Sequence, residues 1–334
     1  MPKYQVTEMT ERLPAIEDIR AARQRLATYA VVTPLLEHPA LNEATGGRVL
    51  LKAENLQRVG AFKFRGAFNK ISQIDRAKYP GGVVACSSGN HAQGVAAAAT
   101  LAGIRSAIVM PADAPRIKVE RTRAFGGEVI SYDREREDRD AIALALCTER
   151  KAMNVHPFDD PDVMAGQGTV GMELMEQAEA LGAVPDVVLA NTSGGGLISG
   201  IAIAVKAARP ETEVYSVEPA GFDDFARSLA QGARQKNERL AGSICDALMA
   251  QTPGKLTFDV AGRTLAGGLS VTDEEVKTAM RFAFRELKLV VEPGGAAALA
   301  AVLAGKIPVK GRTVVAVLSG GNVDPDQFAE IIAA

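Results

Sequence analysis

The sequence has few of the residues that most often bind metals or form disulfides. Among 334 residues there are three cysteines and three histidines, and the members of each set lie far apart. An odd number of scattered cysteines argues against a disulfide framework and is typical of buried thiols. The histidine spacing gives little support to a histidine-built metal site or a Ser-His-Asp triad.

The chain also lacks a long uncharged apolar run and an excess of charge of one sign. No segment is apolar for long enough to form a signal peptide or span a bilayer, which predicts a cytoplasmic protein. The formal net charge is -2 and both signs are spread along the chain, so no nucleic-acid partner is expected. Hydrophobic residues make up 47%, as in an ordinary soluble globular protein.

Short apolar runs rich in β-branched residues alternate with helix-like segments along the chain. Examples are the runs GVVA, SAIVM, DVVLA and TVVAVLS. This alternation predicts an α/β protein with parallel sheets. Pro and Gly cluster near residues 78–82, and another turn-like cluster covers residues 156–160. These breaks predict a small inserted lobe over residues 81–155, with residues 1–80 and 156–334 forming a large lobe.

Lys63 lies between two phenylalanines, Phe62 and Phe64. An apolar environment disfavours the ammonium form and lowers the pKa of a lysine, and a neutral amine can form an imine. The commoner meaning of such a pattern is a lysine whose aliphatic stem covers apolar surface. Motifs elsewhere in the chain are needed to decide between these two interpretations.

Three further motifs follow strand-like runs and combine glycine with hydroxyl or amide residues. Residues 87–91, Ser-Ser-Gly-Asn-His, open a helix-like segment whose free N–H groups suit a carboxylate or phosphate. Residues 193–196, Ser-Gly-Gly-Gly, open another helix and offer a cradle for a phosphate. Residues 319–322, Ser-Gly-Gly-Asn, end a third strand, where the serine hydroxyl can face a ligand or simply form a turn.

A dinucleotide-binding oxidoreductase is the main alternative from a different class. Its fingerprint is G-x-G-x-x-G with an acidic residue about 20 positions later. Glu218 would supply the acid, but Ser199 stands where the third glycine belongs. A catalytically inactive binding module with the same fold is a second alternative, and both predict a protein without a covalently held chromophore.

Taken together and in this order, the four motifs resemble the serine/threonine dehydratase and serine racemase family of pyridoxal 5'-phosphate enzymes. The resemblance extends from Thr33-Pro34-Leu35 to the Ser-Gly-Gly-Asn motif. It implies a two-lobed tryptophan-synthase-β-like fold (fold type II), in which each lobe is a mostly parallel sheet flanked by helices. It also implies a homodimer. Because the chain stops soon after the last motif, no C-terminal regulatory module is expected.

The resemblance further implies β-elimination on a small hydroxy-amino acid. The leading prediction is deamination of L-threonine or L-serine to 2-oxobutanoate or pyruvate plus ammonium. The nearest alternatives are a 3-hydroxyaspartate dehydratase and a serine or aspartate racemase with side lyase activity. The segment at residues 245–250, Cys-Asp-Ala-Leu-Met-Ala, lacks the substrate-side serine of the racemase, which weakens that alternative.

The resemblance also gives roles to cofactor-binding residues. Lys63 would hold the cofactor as an imine and remove the Cα proton of the substrate, while Phe62 would pack against the ring. Asn90 would contact the phenolic oxygen, Ser319 the pyridine nitrogen, and Glu292 would lie near the ring. A neutral serine at that nitrogen favours elimination over transamination. The cofactor phosphate would be held by Ser193, Gly194, Gly195, Gly196 and Leu197.

Substrate contacts follow from the same resemblance. The carboxylate would bind to the loop that contains Ser87, Ser88, Asn90 and His91. Ser88 would face Lys63 across the substrate and permit racemisation, although a hydroxyl that only binds carboxylate is an equal alternative. A substrate-side arginine is expected among Arg134, Arg136 and Arg139. Arg139 is favoured and would suit hydroxyaspartate, but a solvated helix face explains the same run of charges equally well.

One acidic turn resembles the family's divalent-cation site. The ligands would be Glu218, the main-chain carbonyl of Phe222, and Asp224, and such oxygen ligands suit magnesium, calcium or manganese. The alternative is an acidic turn exposed to solvent at a strand end.

Overall fold

The computed structural model describes residues 12–114, 116–133, 135–239 and 241–334, which form two β-sheets flanked by helices. The helices of this part of the chain are α1 (Ile16–Leu26), α2 (Pro39–Thr45), α3 (Lys63–Ile71), α4 (Asn90–Leu101), α5 (Arg116–Ala124), α6 (Arg139–Arg150), α7 (Pro161–Ala180), α8 (Gly196–Ala208), α9 (Asp224–Gln231), α10 (Lys255–Thr264), α11 (Asp273–Arg285), α12 (Pro293–Leu303) and α13 (Pro325–Ala333). The strands are β1 (Leu35–Glu37), β2 (Arg48–Ala53), β3 (Val83–Cys86), β4 (Ser106–Pro111), β5 (Glu128–Tyr132), β6 (Met153–Asn154), β7 (Val187–Asn191), β8 (Glu213–Pro219), β9 (Gly267–Val271) and β10 (Thr313–Leu318).

The larger sheet has six strands in the order β1-β2-β10-β7-β8-β9. All neighbouring pairs are parallel except β1 with β2. In its centre, Val315 of β10 pairs with Leu50 of β2 and Val188 of β7. Helices pack on both faces, with α7, α8 and α10 on one side and α11, α12 and α13 on the other. The central strands β7 and β10 are therefore largely apolar, because neither face meets water.

The smaller sheet has four parallel strands in the order β5-β4-β3-β6. Its strands all lie between Val83 and Asn154. Helix α6 covers one face and helix α4 the other. Helix α3 completes the second face, since Phe64 and Ile71 pack into the same core as Val83. The core of this sheet thus includes residues that precede the predicted lobe at 81–155.

The predicted class, α/β with mostly parallel sheets, is confirmed. In such sheets the carboxyl ends of the strands share one edge, and ligands bind in the crevice outside that edge. Three of the motifs follow the ends of β3, β7 and β10 directly. Within the described residues, no helix has the combination of length and apolar character needed to cross a membrane.

Candidate active site

A cleft of about 270 Å³ lies at the carboxyl ends of β3, β7 and β10. The cleft contains every residue predicted to bind cofactor or substrate. These residues are Phe62, Lys63, Ser87, Ser88, Asn90, His91, Arg139, Ser193, Gly194, Gly195, Gly196, Leu197, Glu292 and Ser319.

The first turns of several helices meet in this cleft. Helix α3 begins at Lys63, α4 at Asn90 and α8 at Gly196, and α12 begins directly after Glu292. The first N–H groups of a helix have no partner within the helix and lie at the positive end of its dipole. The cleft is therefore suited to a ligand that carries both a phosphate and a carboxylate.

Lys63 is half-buried at the start of α3. Its Nζ donates a hydrogen bond to the carbonyl oxygen of Pro157 at 2.7 Å and lies 5.2 Å from the centroid of the Phe62 ring. Burial lowers the pKa of Lys63 to about 8. About one tenth of the amine is then neutral at pH 7, on the order of a hundredfold more than for an ordinary lysine. The amine of Lys63 therefore lies in the cleft, where a ligand can reach it.

The glycine loop before α8 is packed too closely for larger side chains. A Cβ at Gly194 would lie 2.4 Å from ring atoms of Phe158. Gly195 has a φ of 99°, and a Cβ there would lie 2.4 Å from the ring of Phe225. With no side chains in the way, the backbone N–H groups can approach a ligand directly. Ser193 also holds the loop in place, since its Oγ accepts a hydrogen bond from the backbone N–H of Ala250 at 3.2 Å.

Ser319 is held by Asn191, a residue that the sequence analysis did not identify. Asn191 ends β7, and its Nδ2 donates to Ser319 Oγ at 2.9 Å and to the carbonyl oxygen of Gly295 at 2.8 Å. A buried asparagine at the end of an apolar strand, just before the glycine loop, is a signal that could have been used. Because Asn191 donates to Ser319 Oγ, the hydroxyl hydrogen of Ser319 is free to point to an acceptor in the cleft.

Asn90 and Glu292 form a direct pair at the cleft. The Nδ2 of Asn90 donates to Oε1 of Glu292 at 2.6 Å. Burial raises the pKa of Glu292 to about 7, although the hydrogen bond from Asn90 acts in the opposite direction. Glu292 is therefore able to exchange a proton near neutral pH.

The ring of His91 is buried and uncharged. Its Nε2 lies 2.9 Å from the carbonyl oxygen of Val155, which can only accept, so Nε2 carries the hydrogen. Burial lowers the pKa of His91 to about 3. Nδ1 has no hydrogen-bond partner within the described part of the chain. His91 thus offers a carboxylate its backbone N–H in the first turn of α4, and its ring offers no positive charge.

Arg139 lies at the cleft but faces solvent. Its side chain is 59% exposed, with the carboxylate of Asp140 at 3.7 Å. Arg136 is more exposed and does not line the cleft, and Arg134 lies outside the described residues. Arg139 is therefore at the edge of the cleft and also on the solvated surface of α6.

The predicted cation ligands lie apart from the cleft, at the end of β8. Glu218, Phe222 and Asp224 are buried, so the alternative of an exposed acidic turn is wrong. Burial raises the pKa of Glu218 well above its usual range, with the neighbouring Asp224 carboxylate adding to the effect. Burial also raises the pKa of Asp224 to about 6. Over the described residues, no group of three or more His, Cys, Asp or Glu side chains is placed to hold a metal, so this candidate set depends on a main-chain carbonyl.

Further cleft residues lie outside the four motifs and were not predicted from the sequence to line the cleft. Pro157 and Phe158 precede α7 and contact Lys63 and the glycine loop, respectively. Lys118 of α5 forms an ion pair with Asp246 across the cleft. Pro157 and Phe158 lie in the turn-like cluster at residues 156–160, but no local pattern indicates these contacts, because they join distant segments.

Comparisons with known proteins agree with the geometry. A family model described as pyridoxal-phosphate dependent enzyme matches residues 26–320. The chain is 40% identical over 321 residues to an L-threo-3-hydroxyaspartate ammonia-lyase of Pseudomonas sp, with 96% of this chain and 99% of the relative covered. It is 41% identical over 321 residues to an L-threonine ammonia-lyase of Thermotoga maritima, with 95% and 78% covered.

The fold is similar to that of a solved serine racemase from maize. The TM-score is 0.90 at 36% identity, with 96% of this chain and 98% of that chain covered. The predicted tryptophan-synthase-β-like fold is confirmed, and the dinucleotide-binding alternative is wrong because the match extends through the glycine loop. The chain belongs to the pyridoxal-phosphate dependent enzyme family.

Proposed function

We propose that the protein is a pyridoxal 5'-phosphate dependent ammonia-lyase that acts on small β-hydroxy-amino acids, with L-threonine and L-serine as its main substrates. The products would be 2-oxobutanoate or pyruvate plus ammonium. One observation carries the proposal: a half-buried lysine amine with a pKa of about 8 shares a cleft with a glycine loop at a helix N-terminus. Two relatives named as ammonia-lyases, each at least 40% identical, support the reaction class.

The cleft residues fit pyridoxal 5'-phosphate. The backbone N–H groups of the loop from Ser193 to Leu197 would hold the phosphate, in space that a Cβ at Gly194 would disturb. Lys63 would hold the cofactor covalently through its amine, with Phe62 against the ring. Ser319 would donate to the pyridine nitrogen and Asn90 to the phenolic oxygen. When bound, the cofactor supplies an electron sink for the electrons left at Cα of the substrate.

The side chains of this protein would then move one proton and orient one carboxylate. Lys63 Nζ would accept the Cα proton, and a pKa near the working pH suits a general base. The carbonyl of Pro157 fixes the position of that amine. The first N–H groups of α4 would hold the substrate carboxylate, with the hydroxyls of Ser87 and Ser88 beside them.

Reduction with borohydride tests the attachment site. The purified protein should absorb at roughly 410 nm because an imine-bound cofactor is the chromophore. Borohydride should fix the cofactor to Lys63, as identified by peptide mass spectrometry, and Lys63→Ala should lose both the band and the adduct. Lys118→Ala is the matched control, since Lys118 also lines the cleft but pairs with Asp246. An adduct on another lysine, or a colourless wild-type protein, would contradict the proposal.

The second candidate function is 3-hydroxyaspartate elimination. It is favoured by Arg139 at the cleft and by a relative named for that substrate. If Arg139 binds the second carboxylate, Arg139→Gln should lower kcat/KM for hydroxyaspartate at least about tenfold, the loss expected for a charged hydrogen bond. Its kcat/KM for threonine should be unchanged, and Arg136→Gln should change neither. Equal effects on both substrates would exclude this role.

Racemisation is the remaining alternative, and it depends on Ser88. A panel of L-serine, D-serine, L-threonine and both hydroxyaspartate diastereomers separates the activities when oxo-acid release and chirality are followed together. If Ser88 returns a proton to the opposite face, Ser88→Ala should abolish racemisation and spare elimination. Loss of both activities together would mean that Ser88 only binds the carboxylate.

We further propose that Glu218, the Phe222 carbonyl and Asp224 hold a divalent cation such as magnesium, calcium or manganese. Two buried carboxyls with raised pKa values are costly without a cation, and Asp224 Oδ2 has no hydrogen-bond partner among the described residues. The proposed site is linked to the glycine loop, because Glu218 accepts from the backbone N–H of Phe225 at 3.0 Å and the Phe225 ring packs against Gly195. A bound cation would therefore stabilise the loop as well as the fold.

Other expectations stay predictions with simple tests. The lobe at residues 81–155 is proposed to move toward the rest of the protein when substrate binds, which small-angle scattering with and without substrate would detect. The homodimer is tested by light scattering. The cytoplasmic location is tested by fractionation of cells that produce the protein.

A further inference from the structure

A chain of hydrogen bonds runs from the surface of α5 into the cleft. The guanidinium of Arg121 donates to Asn322 Oδ1 at 2.8 Å. Asn322 Nδ2 donates to Asn90 Oδ1 at 2.8 Å, and Asn90 Nδ2 donates to Glu292 Oε1 at 2.6 Å. Arg121 belongs to a helix packed on the four-stranded sheet, whereas Asn322 follows β10 of the six-stranded sheet. This series of hydrogen bonds therefore connects the two sheets and the elements packed on them.

Arg121 and the carbonyl of Val59, which both contact Asn322, fix the direction of every hydrogen bond in this series. The oxygen and nitrogen of an asparagine amide can exchange places by a 180° rotation of the amide group, so the hydrogen-bond partners decide which position holds the nitrogen donor. Arg121 can only donate, and it faces Asn322 Oδ1. The carbonyl of Val59 can only accept, and it receives Asn322 Nδ2 at 2.7 Å. Asn322 therefore has a single orientation, in which its Nδ2 also faces Asn90.

The orientation of Asn322 in turn fixes the orientation of the Asn90 amide. Because it receives a hydrogen bond from Asn322, its Oδ1 must face outward and its Nδ2 must face Glu292 and the cleft. One hydrogen of Nδ2 is used by Glu292, and the second remains for an acceptor in the cleft. Gly60 leaves the space that the Asn322 side chain occupies, since a Cβ at Gly60 would lie only 2.7 Å from Asn322 Oδ1.

We propose that Arg121 and Asn322 are positioning residues that fix Asn90 as a hydrogen-bond donor to the cofactor. The inference rests on the proposed function, in which the acceptor is the phenolic oxygen of pyridoxal phosphate. A donor held at that oxygen stabilises its ionised form. Because Arg121 lies on a helix packed on the four-stranded sheet and Asn322 follows a strand of the six-stranded sheet, Asn90 is fully oriented only when Arg121 and Asn322 are in contact.

The isosteric substitution Asn322→Asp tests this proposal. The aspartate still accepts from Arg121, but it cannot donate to Val59 or Asn90, so Asn90 loses the bond that orients it. The apoprotein should bind pyridoxal phosphate about tenfold more weakly in a fluorescence titration, as expected for one hydrogen bond to a charged group. The pH midpoint of the visible band of the bound cofactor should rise by about one unit, because the ionised form is less stabilised.

Substitutions on α5 supply an independent variant and its control. Arg121→Met removes the outer donor at an exposed position and should shift affinity and midpoint in the same direction, with an unchanged melting temperature of the apoprotein. Arg123→Met is the matched control, because Arg123 is exposed on the same helix and forms none of these bonds. It should leave both readouts at wild-type values.

The outcomes separate this inference from the proposed function. If Asn322→Asp and Arg121→Met keep the wild-type affinity for pyridoxal phosphate and the wild-type pH midpoint of the visible band, the positioning role of Arg121 and Asn322 is overturned. A visible band in the wild-type protein would still support the proposed function. If wild-type apoprotein does not bind pyridoxal phosphate, the function itself fails. If Asn322→Asp does not fold, Arg121→Met decides, and wild-type values for it overturn the inference.

Discussion

Replacement of Arg65 by methionine would test how the helix that begins at Lys63 is held. Arg65 is 1% exposed, and its guanidinium donates twice to Glu54, both at 2.8 Å. It also donates twice to Glu173, at 2.7 and 2.8 Å. Lys52 adds a further bond to Glu173 at 2.7 Å. Two buried cations therefore balance two buried carboxylates close to Lys63 in the chain.

The cost of the substitution follows from what it leaves behind. Methionine replaces much of the volume of the arginine stem, but Glu54 and Glu173 would share Lys52 as the one remaining cation of this cluster. Removal of one partner from a buried ion pair costs about 3–5 kcal/mol, because the other charge stays desolvated. Since domains are stable by only about 5–15 kcal/mol, we expect a large loss in the free energy of unfolding.

Urea unfolding at pH 7 would measure this loss against a matched control. Arg48 also pairs with a glutamate, Glu37, but these side chains are 33% and 30% exposed. Arg48→Met should cost much less, about 1 kcal/mol, because solvent screens a partly exposed ion pair. If Arg65→Met costs no more than Arg48→Met, the buried cluster does not hold α3 and the reasoning is refuted.

The pH dependence gives a second check. Burial alone would raise the pKa of Glu54, but the charge and hydrogen bonds of Arg65 outweigh it and hold the pKa below its usual range. A carboxyl group whose pKa is lowered by folding stabilises the protein fully at pH values above its pKa in the unfolded chain, roughly 4.3. This stabilisation is lost as the pH falls through the pKa of the group in the folded protein. The difference between wild type and Arg65→Met should therefore be largest near pH 7 and shrink below about pH 4.

Three further predictions concern the cofactor and the cation. The rate at which apoprotein takes up pyridoxal phosphate should rise with pH and reach half its maximum near pH 8, because burial lowers the pKa of Lys63 to about 8. Stopped-flow absorbance measures this rate, and a midpoint near pH 10 would contradict the prediction. Gly194→Ala should weaken cofactor binding at least about tenfold, since its Cβ would lie 2.4 Å from Phe158, whereas Gly262→Ala, with open space around it, should not. Chelation should lower the melting temperature of the wild type but not of Asp224→Ala, and indifference of the wild type would exclude the cation.

Much of the cleft could be predicted from the sequence because its residues follow the ends of parallel strands. The loop at Ser88, the glycine loop at Gly194 and the turn at Ser319 each come directly after an apolar run. The carboxyl ends of β7 and β10 share one edge of the six-stranded sheet, so local patterns place the loops at Gly194 and Ser319 together. The loop at Ser88 follows a strand of the four-stranded sheet and joins them only through the tertiary structure. Lys63 joined them in the sequence analysis through the order of the motifs, since its own neighbours were ambiguous.

Other properties were decided only by contacts between distant segments. The hydrogen bond from Lys63 to Pro157 joins residues 94 positions apart, and the bond from Asn322 to Asn90 joins residues 232 apart. Burial of Glu218, the neutral ring of His91 and the ion pairs of Arg65 likewise depend on which helices pack around them. The sequence by itself determined which loops carry the ligand-binding groups, because strand ends and helix starts are local signals. The tertiary structure alone decided their charge and orientation, because desolvation and hydrogen-bond direction are set by neighbours that no local pattern specifies.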